Sequence, residues 1–250
     1  IKTGYNDAFI ISTEKRDEIL ANCQSEDERK RTAELIRPIL RGRDIKRYGY
    51  NWANLWLINT HNGIRGKLER IHIEDYPAVK AHLDQYWDRI SKRADKGDTP
   101  YNLRNCAYLE DFSKPKIVYM EIQTDNPREG YPFPCFSLDK RNSIALNTAY
   151  IMCSDSVDVR YILGILNSSV GRMIARLYVT QLQERQFRML AQYLVKFPIV
   201  KAAVDVQDKI IECVQENLVQ ESKEREDKIN DMVYQLYGFD LSLIHISEPT

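Results

Sequence analysis

From Asp205 to Leu236 the chain contains neither glycine nor proline, and Gly238 follows where a helix stop belongs. Few conformations other than helix accommodate such a stretch. Its apolar positions Ile210, Val214 and Leu218, then Ile229, Val233 and Leu236, bracket a polar centre, QESKEREDK. A helix that is polar all round its middle bridges solvent. The segment is therefore expected to be one long helix or a broken pair, reaching from this domain to a neighbour. Residues 1–200 then form the main domain and 201–240 a spacer or connector helix.

Upstream, helical and extended patterns interleave. Residues 12 to 35 read as two short helices, the first capped by Ser12 or Thr13 and the second by a Ser25–Glu28 capping box. Pro38 stops the second, so the chain leaves it as strand and loop. Asn54 to Thr60 reads as a strand, and Asp75 opens a long helix carrying Val79, Leu83, Trp87 and Ile90. Lys116–Gln123, Pro132–Leu138 and Ile144–Cys153 read as three strands, with a turn over TDNPREG. Asp158 to about Val179 is an apolar-faced helix, Gln183–Tyr193 a further helical piece, and KFPI a short strand. The fold class is mixed α/β (α+β), a β-sheet with flanking helices, and Trp52, Trp56 and Trp87 are expected in the core.

Composition enters through charge. The chain has 36 basic and 36 acidic residues, so a nucleic-acid site must come from local clustering. RPILRGRDIKRY, residues 37 to 48, supplies one: Arg37, Arg41, Arg43, Lys46 and Arg47 against Asp44 alone. Gly42 among them permits a close backbone approach or a positive φ. Five cysteines without a C-x-x-C pair and four scattered histidines match free thiols in a reducing cytosol, not a zinc site. No apolar run approaches the ~20 residues of a membrane span.

Catalytic patterns are missing in turn. There is no phosphate-cradling glycine loop and no nucleophile elbow. Asp111 with Glu121-Ile122-Gln123 lacks the lysine of a metal-dependent nuclease. Asn126-Pro127-Arg128-Glu129 has only half of the loop that clamps a flipped base. The chain starts at Ile1 and ends in LSLIHISEPT, so it is expected to be a fragment with a non-native tail over 241–250.

A resemblance joins these pieces. IKTGYNDAFII, LIRPILRGRDIKRY and WLI, then TPYNLRNCAYLEDFSKPKIVYMEI, YILGILNSSVGRMI, LAQYLVKFPI and INDMVYQLYGFD occur in one order. That order resembles the target-recognition (specificity) domain of type IIG restriction–modification enzymes, adenine-specific methyltransferases with a TaqI-like C-terminal specificity region. The resemblance covers nearly residues 1 to 240. It implies a non-catalytic domain that docks on double-stranded DNA. An upstream methyltransferase domain of the parent chain would bind S-adenosylmethionine and flip the adenine. A prokaryotic cytoplasmic setting and a role in phage defence follow from the same resemblance.

Several residues are singled out under it. Arg37, Arg41, Gly42, Arg43, Lys46, Arg47 and Tyr48 are expected at phosphates, which fix register without reading sequence. Tyr48 and Tyr50 would lie against the DNA backbone, and about five neutralised phosphates give a log–log salt slope of roughly −4.5. The alternative is a solvated strand edge that guards against aggregation. Base-edge readers are expected on three polar loops: Asn102, Arg104 and Asn105; Arg141 and Asn142; Gln181, Gln183 and Arg185. Lys2, Thr3, Gly4 and Asn6 match the family's opening motif, as a turn near DNA, at a domain junction, or of purely structural kind. A competing function is a protein–protein interaction fragment acting through the C-terminal helix.

Overall fold

The structure, a computed structural model, describes residues 1–126, 128 and 132–239. Part of the TDNPREG turn and the 241–250 tail lie outside these residues. The chain divides into two compact units; elements are numbered in chain order.

The first unit comprises Ile1–Arg41, Trp52–Lys114 and Lys140–Asn147. Its helices are α1 (Asn6–Phe9), α2 (Thr13–Ala21), α3 (Glu26–Leu35), α4 (Pro77–Asp84) and α5 (Trp87–Ile90). Strands β1 (Ile10–Ser12), β2 (Ile36–Leu40), β3 (Leu55–Ile58) and β7 (Ile144–Ala145) form one sheet in the order β1-β3-β2-β7. β3 is antiparallel to both neighbours, whereas β7 runs parallel to β2, with Ile39 opposite Ile144. The caps form as their residues dictate: Ser12 accepts from the Lys15 N–H and Ser25 from the Glu28 N–H. Glu28 closes its box one residue early, on the Gln24 N–H at 2.8 Å, because its other oxygen accepts from the Ala78 N–H at 3.0 Å. Pro38 does not stop α3, which ends at Leu35; it sits inside β2 opposite Trp56. Pro77 takes the first position of α4, where no N–H is needed, and the long helix expected from Asp75 is two shorter ones. Trp87 is 43% exposed, so it is not a core residue, and Trp52 and Trp56 are half-buried.

The second unit comprises Gly42–Asn51, Pro115–Asp139 and the residues from Thr148 on. β4 (Lys116–Met120) lies between β6 (Phe136–Asp139) and β8 (Ala149–Met152), both antiparallel to it. β5 (Ile122–Thr124), β10 (Gln186–Arg188) and β9 (Gln181–Gln183) form a second sheet in the order β5-β10-β9. The helices are α6 (Val159–Asn167), α7 (Ser169–Tyr178), α8 (Ala191–Leu194), α9 (Val204–Asn217) and α10 (Lys223–Leu236).

Several expectations fail here. The helix over 158–179 breaks at Ser168, whose hydroxyl donates to the Ile165 carbonyl and accepts from the Gly171 N–H, starting a new helix. The expected helix over 183–193 is mostly a hairpin. Phe187 and Met189 are buried in alternation with exposed Arg188, and Arg185 turns the chain at a φ of 63°. KFPI is not a strand, although Phe197 is buried. The C-terminal segment is the broken pair, not one long helix, and it does not reach away. Ile210 and Val214 of α9 join Ile229 and Val233 of α10 in the core of this unit. The polar centre QESKEREDK spans the connection and the start of α10, so it needs no apolar face. Gly164 of α6 makes the close packing possible, since a Cβ there would come within 2.6 Å of Ile210.

Candidate nucleic-acid interface

The boundary between the units runs through the basic stretch, after Arg41. In the second unit, Ile45 and Tyr50 form an antiparallel bridge, and the Lys46 N–H donates to the Gly49 carbonyl at 2.8 Å. Lys46 to Gly49 is thus a tight turn. Tyr48 adopts a φ of 57°, its N–H donates to the Phe136 carbonyl at 2.9 Å, and its ring is 2% exposed. Burial pushes its hydroxyl pKa up to about 12. Tyr48 therefore does not lie against a DNA backbone; it anchors the turn in the core. Tyr50 is half-buried, with its hydroxyl donating to Asp139 at 3.3 Å.

The anchored turn divides its cations. Arg47 folds back: it donates to the Asn167 carbonyl at 2.6 Å, pairs with Glu226 at 3.3 Å and lies over the Tyr48 ring. Arg43 and Lys46 are exposed and have no ion pair among the described residues. Gly42 is buried, and its N–H donates to the Thr148 hydroxyl at 3.0 Å. A Cβ at Gly42 would meet the Thr148 carbonyl at 2.4 Å, so the close backbone approach is to this chain's own Thr148 and Gly42 has no surface to offer a phosphate.

In the first unit, Arg37 is half-buried and donates to the Asn142 carbonyl at 2.6 Å; Arg41 is half-buried at the end of β2. Arg141 and Asn142 are exposed, Arg141 stacked 4.9 Å above the Trp52 ring and Asn142 at a φ of 54°. Of the loop at 102–105, Asn102 is 1% exposed. Its amide donates to the Ile71 carbonyl at 2.9 Å and accepts from Thr99, so it braces the loop and cannot read a base. Arg104 is exposed and 3.3 Å from Asp95, and Asn105 accepts from Asn62 at 2.5 Å. The opening motif is a braced turn. Gly4 has a φ of 72°, buried Thr3 donates to Asn6, and buried Arg93 donates to the Thr3 carbonyl at 2.6 Å. Lys2 and Asn6 are exposed.

The third loop proves the richest. Gln181 and Gln183 lie exposed on β9, and Arg185 is exposed at the hairpin turn. The Arg185 carbonyl accepts from the Asp125 N–H at 2.7 Å. The Asp125 side chain is fully buried and pairs with Arg172 at 2.7 Å and Arg176 at 2.6 Å. Arg188 pairs with Glu121 at 2.8 Å. Arg172 and Arg176 were not among the sequence-derived candidates. Their i, i+4 spacing on a helix is visible in the sequence, but the apolar face of the same stretch dominates its pattern. Asp125 lies too far upstream for any pattern to connect it.

The TaqI-like C-terminal specificity domain family matches residues 37–199, well over half of the chain. Among solved structures, the type IIL restriction–modification enzyme MmeI, described in complex with DNA, is similar in fold at 17% identity and a TM-score of 0.64. That match covers 96% of this chain and 32% of the other, so the chain spans about a third of that protein. With strands, helices and braced loops in place across the matched residues, the chain belongs to the TaqI-like C-terminal specificity domain family.

Proposed function

We propose that this chain recognises a specific sequence in double-stranded DNA, as the specificity part of an adenine-N6 methyltransferase in a restriction–modification system. The observation that carries the reading is the turn at 45–50. Exposed Arg43 and Lys46, without an ion pair among the described residues, stand beside a tyrosine anchor that fixes the backbone beneath them. Cations held this way suit phosphates, because they attract without being satisfied internally. Family membership supports the same reading, as does the DNA complex described for the MmeI relative. Chemistry is assigned to a methyltransferase domain of the parent chain, which would hold S-adenosylmethionine, with a nuclease where the parent has one. Docking through the C-terminal helices would lack Ile210, Val214, Ile229 and Val233, which are buried inside their own unit.

Selection from a randomised duplex library at low and physiological salt tests the proposal. An enriched short motif, bound more weakly at higher salt, is the expected result. A folded sample that retains no duplex at low salt would refute it.

A further inference from the structure

We infer that Arg172 and Arg176 read guanine edges in the target duplex, with Asp125 as the residue that positions them; the inference rests on the DNA-recognition reading above. The two arginines lie one turn apart on one face of α7, with side chains 40% and 53% exposed, and they share a carboxylate that is fully buried. Arg172 approaches it through Nε at 3.4 Å and Nη2 at 2.7 Å, and Arg176 through Nε at 2.8 Å and Nη2 at 2.6 Å. Each guanidinium spends its Nε edge on Asp125. Its end-on fork, Nη1 with the second Nη2 hydrogen, has no partner among the described residues. A planar fork of two N–H groups matches O6 and N7 of guanine.

A buried carboxylate needs partners, but one bidentate arginine would neutralise its charge and reach both its oxygens. The second arginine and the exposure of both exceed that structural need. Phosphate binding is the nearer rival, and two observations oppose it. Asp125 offsets part of the pair's charge, unlike the unneutralised Arg43 and Lys46, which weakens a purely electrostatic contact. Large apolar side chains flank the arginines: Met173 is 41% and Leu177 74% exposed. Such neighbours suit base edges, where thymine presents a methyl group, better than a phosphate backbone. The Asp125 backbone is itself held, its N–H donating to the carbonyl of Arg185 at the exposed hairpin turn.

The test repeats the duplex selection with the whole chain and three variants, Arg172→Lys, Arg176→Lys and Asp125→Asn. Lysine keeps the charge and removes the fork. Each lysine variant is expected to lose preference for one guanine by roughly ten- to a hundredfold, with the salt slope unchanged. Asp125→Asn should relax both positions together; if it fails to fold, the lysine variants alone decide. A wild-type motif that survives both lysine substitutions would overturn the assignment and leave DNA recognition standing. So would a uniform loss of affinity over all sequences. A wild-type chain that binds duplex but enriches no motif would overturn sequence recognition and this assignment together.

Discussion

Asn167, at the end of α6, holds both backbone groups of Phe136: its side-chain oxygen accepts from the N–H at 3.1 Å and its amide donates to the carbonyl at 3.0 Å. Its own carbonyl takes Arg47. Removing such a partner leaves buried backbone unsatisfied, so Asn167→Ala is expected to cost about 2 kcal/mol, read as a melting temperature lower by roughly 4–8 °C. Lys116 and Asp139 are a stronger case, with both side chains wholly buried 2.6 Å apart. Lys116→Met alone takes the cation from a buried carboxylate and should cost about 3–5 kcal/mol, whereas adding Asp139→Leu should restore most of it; a double-mutant cycle in urea measures this. Histidine gives the pH dependence. A ring nitrogen of His82 meets the Ala8 carbonyl at 3.0 Å. Burial lowers its pKa below 6.5, as it does for His61. Below pH 6.5 the unfolded chain therefore takes up protons that the folded chain refuses. Stability should be complete above pH 6.5 and decline as pH falls from there toward the lowered folded values. Thermal melts at pH 7.5 and 5.5 check this, and His82→Gln should flatten the difference.

At the scale of elements, small residues decide where helices end and how closely they pack. Ser168 splits one apolar stretch into α6 and α7 by offering a hydroxyl where the helix ladder would continue. Helix periodicity over 158–179 was legible, but that break is a competition between side chain and backbone that periodicity cannot show. Gly164 lets α9 lie against α6, and Gly164→Ala would push a methyl to 2.6 Å from Ile210 Cγ2. Overpacking of that kind costs about 1–3 kcal/mol, opposed by about 1 kcal/mol of helix propensity. The expected outcome is a lower urea midpoint, with amide exchange rising first in α9. The β9–β10 hairpin teaches the converse. Its polar residues give no strand pattern, and the pairing of β10 with β5, far upstream, completes the sheet that holds both strands.

For the molecule as a whole, the basic stretch is the test of how charge becomes function. Five cations in one short segment imply a salt slope near −4.5 only if all face phosphates. Arg47 is committed within the fold, Arg37 donates to the Asn142 carbonyl and Arg41 is half-buried, so Arg43 and Lys46 are the exposed members, without an ion pair among the described residues. The double variant Arg43→Ala, Lys46→Ala is expected to make the log–log salt dependence of duplex binding shallower by about 2. Arg47→Ala should instead lower stability and leave the slope unchanged. By itself the sequence determined what is local: the capped helices at 12–35, β3, β4 and β6, the mixed α/β class, the concentration of charge at 37–48, and through ordered motifs the family. Helix propensity, strand patterning and charge are properties of neighbouring residues, so they are written in one dimension. The tertiary structure decided which cations remain free, that Tyr48 and Asn102 turn inward, that the C-terminal helices fold back, and that Asp125 gathers two arginines. Each of those depends on which distant segment supplies a hydrogen-bond partner or removes water, and packing alone settles that.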